Sequence, residues 1–298
     1  MYFDAHADIW CDITQRRLKG EHDVFNTRHL NKFIKGGVEG SVFAIWVDPP
    51  HDADYALRTH QIMSAAGEEI SECDSFRIVR SYDEMKAAVR DGKIYVFVGV
   101  EGMAYVGNDL SRIDEYYDFG VRTCMLTWNE ANSLAAGASS GQTYGLTELG
   151  RQAVNRIQEL GMILDVSHLN EAGFWDMMDL ARTPVIASHS NASALCPAAR
   201  NLTDDQLRAV AVTGGVVGLN SYSRFISADP RLATVERLAE HAYHMIEIMG
   251  VDHVGLGFDF MDYFKESDGY SSDAADTRGL AGCTDIRNLF DCFDKLGM

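Results

Sequence analysis

Eight short and almost uninterrupted apolar runs punctuate this chain, and they limit its fold more than any other feature. They lie at 2–8 (YFDAHAD), 41–47 (SVFAIWV), 94–100 (IYVFVGV), 121–127 (VRTCMLT), 162–167 (MILDVS), 184–188 (PVIAS), 215–220 (GVVGLN) and 252–258 (DHVGLGF). Runs of this kind suit the strands of a parallel sheet covered on both faces, because neither face meets water. Segments of helical period separate them, at 27–36, 52–72, 81–90, 109–118, 147–160, 170–181, 203–213 and 231–249. Thr147 before Glu148, and Thr203-Asp204-Asp205-Gln206, read as helix starts, the second as a capping box. Glycines at 36–37, 161 and 250 stand where helices should stop. Strand and helix alternate eight times, so the chain is expected to be an α/β protein built as a (β/α)8 TIM barrel rather than an open doubly wound sheet. Its 298 residues, 46% of them hydrophobic, suit one barrel domain spanning 1–298.

Charge narrows the partners. Lys and Arg number 26 against 44 Asp and Glu, a formal charge of −18. No basic stripe offsets it, so no nucleic-acid or anionic-membrane partner is expected. No apolar run approaches the ~18 residues of a membrane span, and no basic-plus-apolar leader precedes Asp4, so a cytoplasmic protein is expected. Six cysteines are scattered without a Cys-x-x-Cys pair, which points to free buried thiols.

In a barrel the carboxyl ends of the strands face a common mouth, where catalytic groups collect. Reading those ends in turn gives His6 and Asp8 on the first strand, Glu101 on the third, His168 on the fifth, His189 on the sixth and Asp259 on the eighth. His6 and Asp8 are two residues apart, so a strand points both to one face. Taken singly, each reads as an ordinary strand end or turn residue. Together they form an N/O donor set suited to zinc or another borderline divalent ion. One tetrahedral zinc would leave donors unused, so two ions sharing a bridging carboxylate fit better. Such ions make a nucleophile from water and polarise a scissile carbonyl, and Asp259, left over after metal binding, can move the proton.

Other features carry less. The long connection 128–146 is rich in Gly, Ser and Asn, but it has no Lys and does not match a P-loop. No Gly-x-Ser-x-Gly elbow supports a serine nucleophile. His241 and His244 read as surface residues of an outer helix, and His22, His29, His51, His60 and His253 show no useful spacing to a carboxylate. Arg200 is a candidate bidentate clamp for a substrate carboxylate, or else an ion pair with Asp204 or Asp205.

The chain resembles the membrane dipeptidase (renal dipeptidase) family of zinc peptidases, peptidase family M19. The resemblance runs nearly the whole length, through DAHADIWCDI at 4–13, VGVEG at 98–102, YGLTELGRQAV at 144–154, GMILDVSHLNEAGFWD at 161–176, PVIASHSNASALCPAARNLTDDQL at 184–207, GGVVGLNSYSRFI at 214–226 and HVGLGFDF at 253–260. It implies two zinc ions, one held by His6, Asp8 and bridging Glu101, the other by Glu101, His168 and His189. It further implies that Arg200 engages the dipeptide carboxylate, that Asp259 transfers the proton, and that a metal-bridging hydroxide attacks. Relatives hydrolyse dipeptides, often with a D-residue at the C-terminal position. Many are homodimers, and this chain resembles the soluble bacterial type.

Two departures from the family pattern stand out. Trp128 follows Leu126-Thr127 where relatives often carry a substrate-contacting histidine, and Met261 replaces a second Asp in GFDFMDY. Trp128 is then expected to wall the substrate pocket, and Tyr222 either lines that pocket or simply packs. The chain also ends sooner than most relatives, which implies a trimmed or missing C-terminal helix. Beside the dipeptidase stand two other readings: a barrel amidohydrolase acting on a non-peptide amide, lactam or lactone, and a non-catalytic metal-binding relative.

Overall fold

The structure is a computed structural model and describes residues 1–266 and 276–297. Five strands, β1 (Tyr2–Ala7), β2 (Val38–Trp46), β4 (Ile94–Glu101), β5 (Val121–Met125) and β6 (Ile163–Asp165), run parallel in that spatial order. A separate parallel pair, β7 (Val217–Leu219) and β8 (Val254–Leu256), continues the curl. The 184–188 run joins the two sets through single parallel bridges, Asp165 to Ile186 and Ala187 to Val217. Full strand pairing was expected there. The backbone is instead pinched: a Cβ on Gly218 or Gly257 would lie 2.0 or 1.7 Å from the Ser188 carbonyl oxygen, so only glycine allows the approach.

The last strand closes on the first through β1 itself. The Asp259 amide donates to the His6 carbonyl at 3.3 Å, and the Phe258 amide to Asp4 Oδ1 at 2.9 Å. The eight runs therefore form the expected (β/α)8 barrel, with polar side chains sewing its seam.

Helices α3 (Tyr55–Glu72), α4 (Tyr82–Arg90), α5 (Ser111–Phe119), α6 (Glu148–Glu159), α7 (Glu171–Leu180), α8 (Asp204–Val212) and α10 (Val235–Met249) match the periodic segments. Thr203 and Gln206 form the capping box, and the Thr147 side chain caps α6. Each such cap is worth about 1 kcal/mol. The 27–36 segment ends in α2 (Leu30–Gly36), stopped by Gly37 in the left-handed region at φ 71°. A short helix, α9 (Ser223–Ile226), follows β7.

Besides α9, three elements escaped the sequence reading. α1 (Ile9–Leu18) starts directly after Asp8, and Ile9, Trp10, Cys11, Asp12, Ile13, Thr14 and Arg16 are all buried, so polar and apolar residues share the buried side and give it no clear period. β3 (Phe76–Ile78) is three residues long and pairs the start of β4. A C-terminal helix, α11 (Ile286–Leu296), is present and packs against α10. Behind the site, Trp10 meets Phe43 at 5.3 Å and Phe76 at 6.0 Å, edge to face. This packing holds α1, and hence Asp8, rigidly against β2.

Candidate metal centre

All six strand-end residues converge at the carboxyl end of the barrel. His6 Nε2 lies 3.6 Å from Asp8 Oδ1, 3.4 Å from Glu101 Oε2 and 4.0 Å from Asp259 Oδ1. Glu101 Oε1 lies 2.7 Å from His168 Nε2 and 3.5 Å from His189 Nε2. The two carboxylate oxygens of Glu101 thus face two different sets of donors. Ligand atoms of His6, Glu101 and His189 fall within 4.8 Å of one another, as do those of His6, Asp8 and Asp259.

Local structure explains why the donors point there. Asp8 occupies the N-cap of α1, yet its side chain makes no capping bond and its Oδ1 has no hydrogen-bond partner. Its amide donates to the Tyr263 hydroxyl at 3.0 Å. His168 (φ 68°) and Asp259 (φ 57°) both sit in the left-handed region, which costs a non-glycine residue about 1–3 kcal/mol and recurs at functional sites.

The imidazoles are oriented from behind. His168 Nδ1 lies 3.1 Å from Asn129 Oδ1, which accepts only, so Nδ1 carries the hydrogen and Nε2 offers its lone pair. His189 Nδ1 is 2.8 Å from Ser188 Oγ, and the Ser188 amide donates to Asp165 Oδ1 at 3.1 Å. Asp259 Oδ2 accepts from Asn220 Nδ2 at 3.2 Å. Partners of this kind fix ring orientation and ligand basicity.

Electrostatics fit a bound cation. Burial drives the His168 and His189 rings well below the ordinary histidine range, so both are neutral, the form that ligates metal. Burial also pushes Glu101 up to about 8, the Asp8 carboxylate adding to the effect, and raises Asp259. Burial alone would lower His6, but the Glu101 and Asp8 carboxylates outweigh it and hold the ring well above its usual range. Positive charge is therefore demanded where three carboxylates are desolvated together. Both His6 ring nitrogens and Asp8 Oδ1 are buried without hydrogen-bond partners, which suits a divalent ion such as zinc bound by nitrogen and oxygen donors.

The substrate-side candidates reach the same mouth. A cavity of about 330 Å³ is lined by Asp8, Glu101, His168 and Asp259 together with Arg200, Trp128 and Tyr222. Trp128 lies beside Trp46, ring centres 5.4 Å apart, and 6.3 Å from His168. Met261, the second departure from the family pattern, lines the same space. Arg200 does not make the alternative ion pair, since Asp204 meets His244 and Asp205 meets Arg208. It is 5% exposed, donates from Nη2 to the His189 carbonyl at 3.2 Å, and its Nε has no partner among the described residues. Burial brings it down to about 10, still cationic at neutral pH.

Other expectations need correction or find a structural reason. His241 is fully buried rather than on the surface, because it bridges the Ala192 amide and the Ile226 carbonyl. His29 pairs with Asp12 at 2.8 Å, a carboxylate 17 positions away that the fold brings beside it. All six cysteines are free and buried. In 128–146, Gly137 and Gly145 serve packing, a Cβ on Gly137 lying 2.5 Å from the Trp128 and Glu130 carbonyl oxygens, whereas Gly141 takes a left-handed turn at φ 71°. Asn129, Ser188, Asn220, Tyr263 and Asp4 were missed, although Asn129 and Ser188 adjoin residues already singled out. Among the described residues, no helix is long and apolar enough to cross a membrane.

A family model described as membrane dipeptidase (peptidase family M19) matches residues 1–279. A Klebsiella pneumoniae protein, described as uncharacterized and in the pqqA 5' region, is 41% identical over 57% of this chain and 67% of its own length. A Schizosaccharomyces pombe protein described as an uncharacterized dipeptidase is 38% identical over 63% of this chain and 46% of its own length, so the match spans about half of that relative. Among solved structures, a metallo peptidase from Rhodobacter sphaeroides liganded with a phosphinate mimic of the dipeptide L-Ala-D-Ala superposes with a TM-score of 0.85 at 28% identity, covering 100% of this chain and 93% of that one.

Proposed function

This chain belongs to the membrane dipeptidase family, the metallopeptidase family M19, and on that premise we propose that it is a zinc-dependent dipeptidase acting on short unblocked dipeptides, including those with a D-residue at the C-terminal position. The observation that carries the reading is the two-sided contact of Glu101, with His6 at one oxygen and His168 and His189 at the other. His6, Asp8 and Glu101 would hold one ion, and Glu101, His168 and His189 a second. When bound, such ions acidify water and polarise the scissile carbonyl.

The remaining chemistry belongs to the chain. Arg200 meets the dipeptide carboxylate with a guanidinium whose Nε is otherwise unpartnered. Trp128 and Tyr222 wall the cavity that receives the dipeptide. Asp259, raised by burial and held by Asn220, accepts the proton of the attacking water and delivers it to the leaving amine. The phosphinate dipeptide mimic carried by the Rhodobacter sphaeroides neighbour supports the D-residue preference. The protein is further read as a cytoplasmic homodimer.

Release of free amino acids from a panel of L-L and L-D dipeptides is the test. Turnover should vanish on chelation, return with zinc, and be far slower for N-blocked or C-amidated peptides. Absence of turnover by fully metal-loaded protein would refute the reading.

A further inference from the structure

A second cavity, of about 660 Å³, lies at the other end of the barrel. Phe97 is on its wall, four residues before Glu101 and on the same face of β4. Ile163, the first residue of β6, and Val216, just before β7, also line it. It thus runs from the amino-terminal end of the barrel inward to Ser188 and Leu256, and among the described residues none lines both it and the catalytic cavity.

Barrel interiors are ordinarily filled by layers of branched side chains. Here Ala5, Ala187 and Gly255 line the space and are too small to fill it. Ile163 and Val216 remain 40% and 36% exposed. Aliphatic side chains left to water around a concavity mark a ligand-binding face.

Its rim is cationic. The Arg122 guanidinium donates to the carbonyls of Tyr117 and Val121 and lies 4.2 Å over the Tyr117 ring, and among the described residues no carboxylate pairs with it. Arg80 is exposed and runs alongside Gly120, whose Cβ would lie 3.2 Å from its Nε. In a chain with a net charge of −18, two arginines beside an apolar cavity are complementary to an anion carrying an apolar tail.

We propose that the barrel floor binds a small anionic amphiphile, a carboxylate on a linear alkyl chain of medium length. The chain occupies the cavity and the carboxylate meets Arg80 and Arg122.

Titration calorimetry of the metal-loaded protein with decanoate, octanoate and decanol tests this. One decanoate should bind per chain, and affinity should fall roughly fourfold per methylene removed, the value of a buried CH₂. Arg80→Gln should weaken decanoate about tenfold, as expected for one charge-assisted contact, and leave decanol unchanged. Val216→Trp, which narrows the mouth, should abolish binding at an unchanged melting temperature; Ile163→Trp replaces it if that variant does not fold. No saturable decanoate binding, binding that survives the filled mouth, or competition between decanoate and a dipeptide substrate would overturn the proposal. So would equal losses for decanol and decanoate on Arg80→Gln.

Discussion

The Nε2 atoms of His168 and His189 face each other at 2.9 Å. With Nδ1 of each ring held from behind, by Asn129 and by Ser188, both neutral rings aim their Nε2 atoms at one point beside Glu101. Such an arrangement is favourable only with a cation or a proton between them. Metal analysis should find two ions per chain, and His189→Ala should lose one of them together with nearly all turnover. Chelation should lower the melting temperature, because an ion present at about 1,000 times its Kd stabilises the fold by about 4 kcal/mol.

Asn129 acts on the metal only through His168. Asn129→Ala should weaken metal binding about 10- to 100-fold, the range for partners of ligating histidines. A competition titration against a zinc chelator measures this. Wild-type affinity in the variant would remove Asn129 from the site.

Asp259 should be separable from the metal. Asp259→Asn keeps the acceptor that meets Asn220 Nδ2 at 3.2 Å, so metal content should be retained. Loss of the proton-transfer group should lower kcat about 10²- to 10⁴-fold. Steady-state rates on one dipeptide, with metal content measured in parallel, decide it.

Arg200→Ala should raise KM for a free dipeptide about 10- to 100-fold, the value of a charge-assisted contact of about 1.5–3 kcal/mol. The C-amidated dipeptide, poor for the parent enzyme, should be affected little. Equal losses for both peptides would show that the guanidinium does not read the carboxylate.

Asp4 gives a pH signature in the metal-free protein. Burial pushes its carboxyl from 3.8 up to about 7, although the Phe258 and His6 amides oppose the shift. A raised carboxyl is protonated in the native state while the unfolded chain has already ionised. Its contribution is therefore fully present below the unfolded value near 3.8 and is lost as pH rises toward 7. Asp4→Asn cannot ionise and retains an oxygen to accept both amides. It should match the parent near pH 3.5 and exceed it by about 2–4 kcal/mol at pH 8. Chemical denaturation at the two pH values measures the difference.

Much of the fold was written locally. Near-continuous apolar runs require burial on both faces, and helical segments between them allow only a covered parallel sheet. The donors were legible for the same reason, because a parallel barrel delivers every strand end to one mouth. Short β3 and largely buried α1 were hidden, the first for want of length and the second because its polar residues Asp12, Thr14 and Arg16 are buried along with its apolar ones. The 184–188 run reads as a strand but is reduced to two bridges, since two distant glycines press onto the Ser188 carbonyl.

The sequence by itself determined the alternation of elements and the identity of the six strand-end residues, since both follow from side-chain period and residue type. Only the tertiary structure decided how those residues are aimed. The Asp8 amide meets Tyr263 across 255 positions, His168 meets Asn129 across 39, and Asp4 closes the barrel across 254. Such contacts have no local period. They exist because the closed barrel brings distant segments together, and a polar atom buried there is costly unless it meets a partner or a ligand.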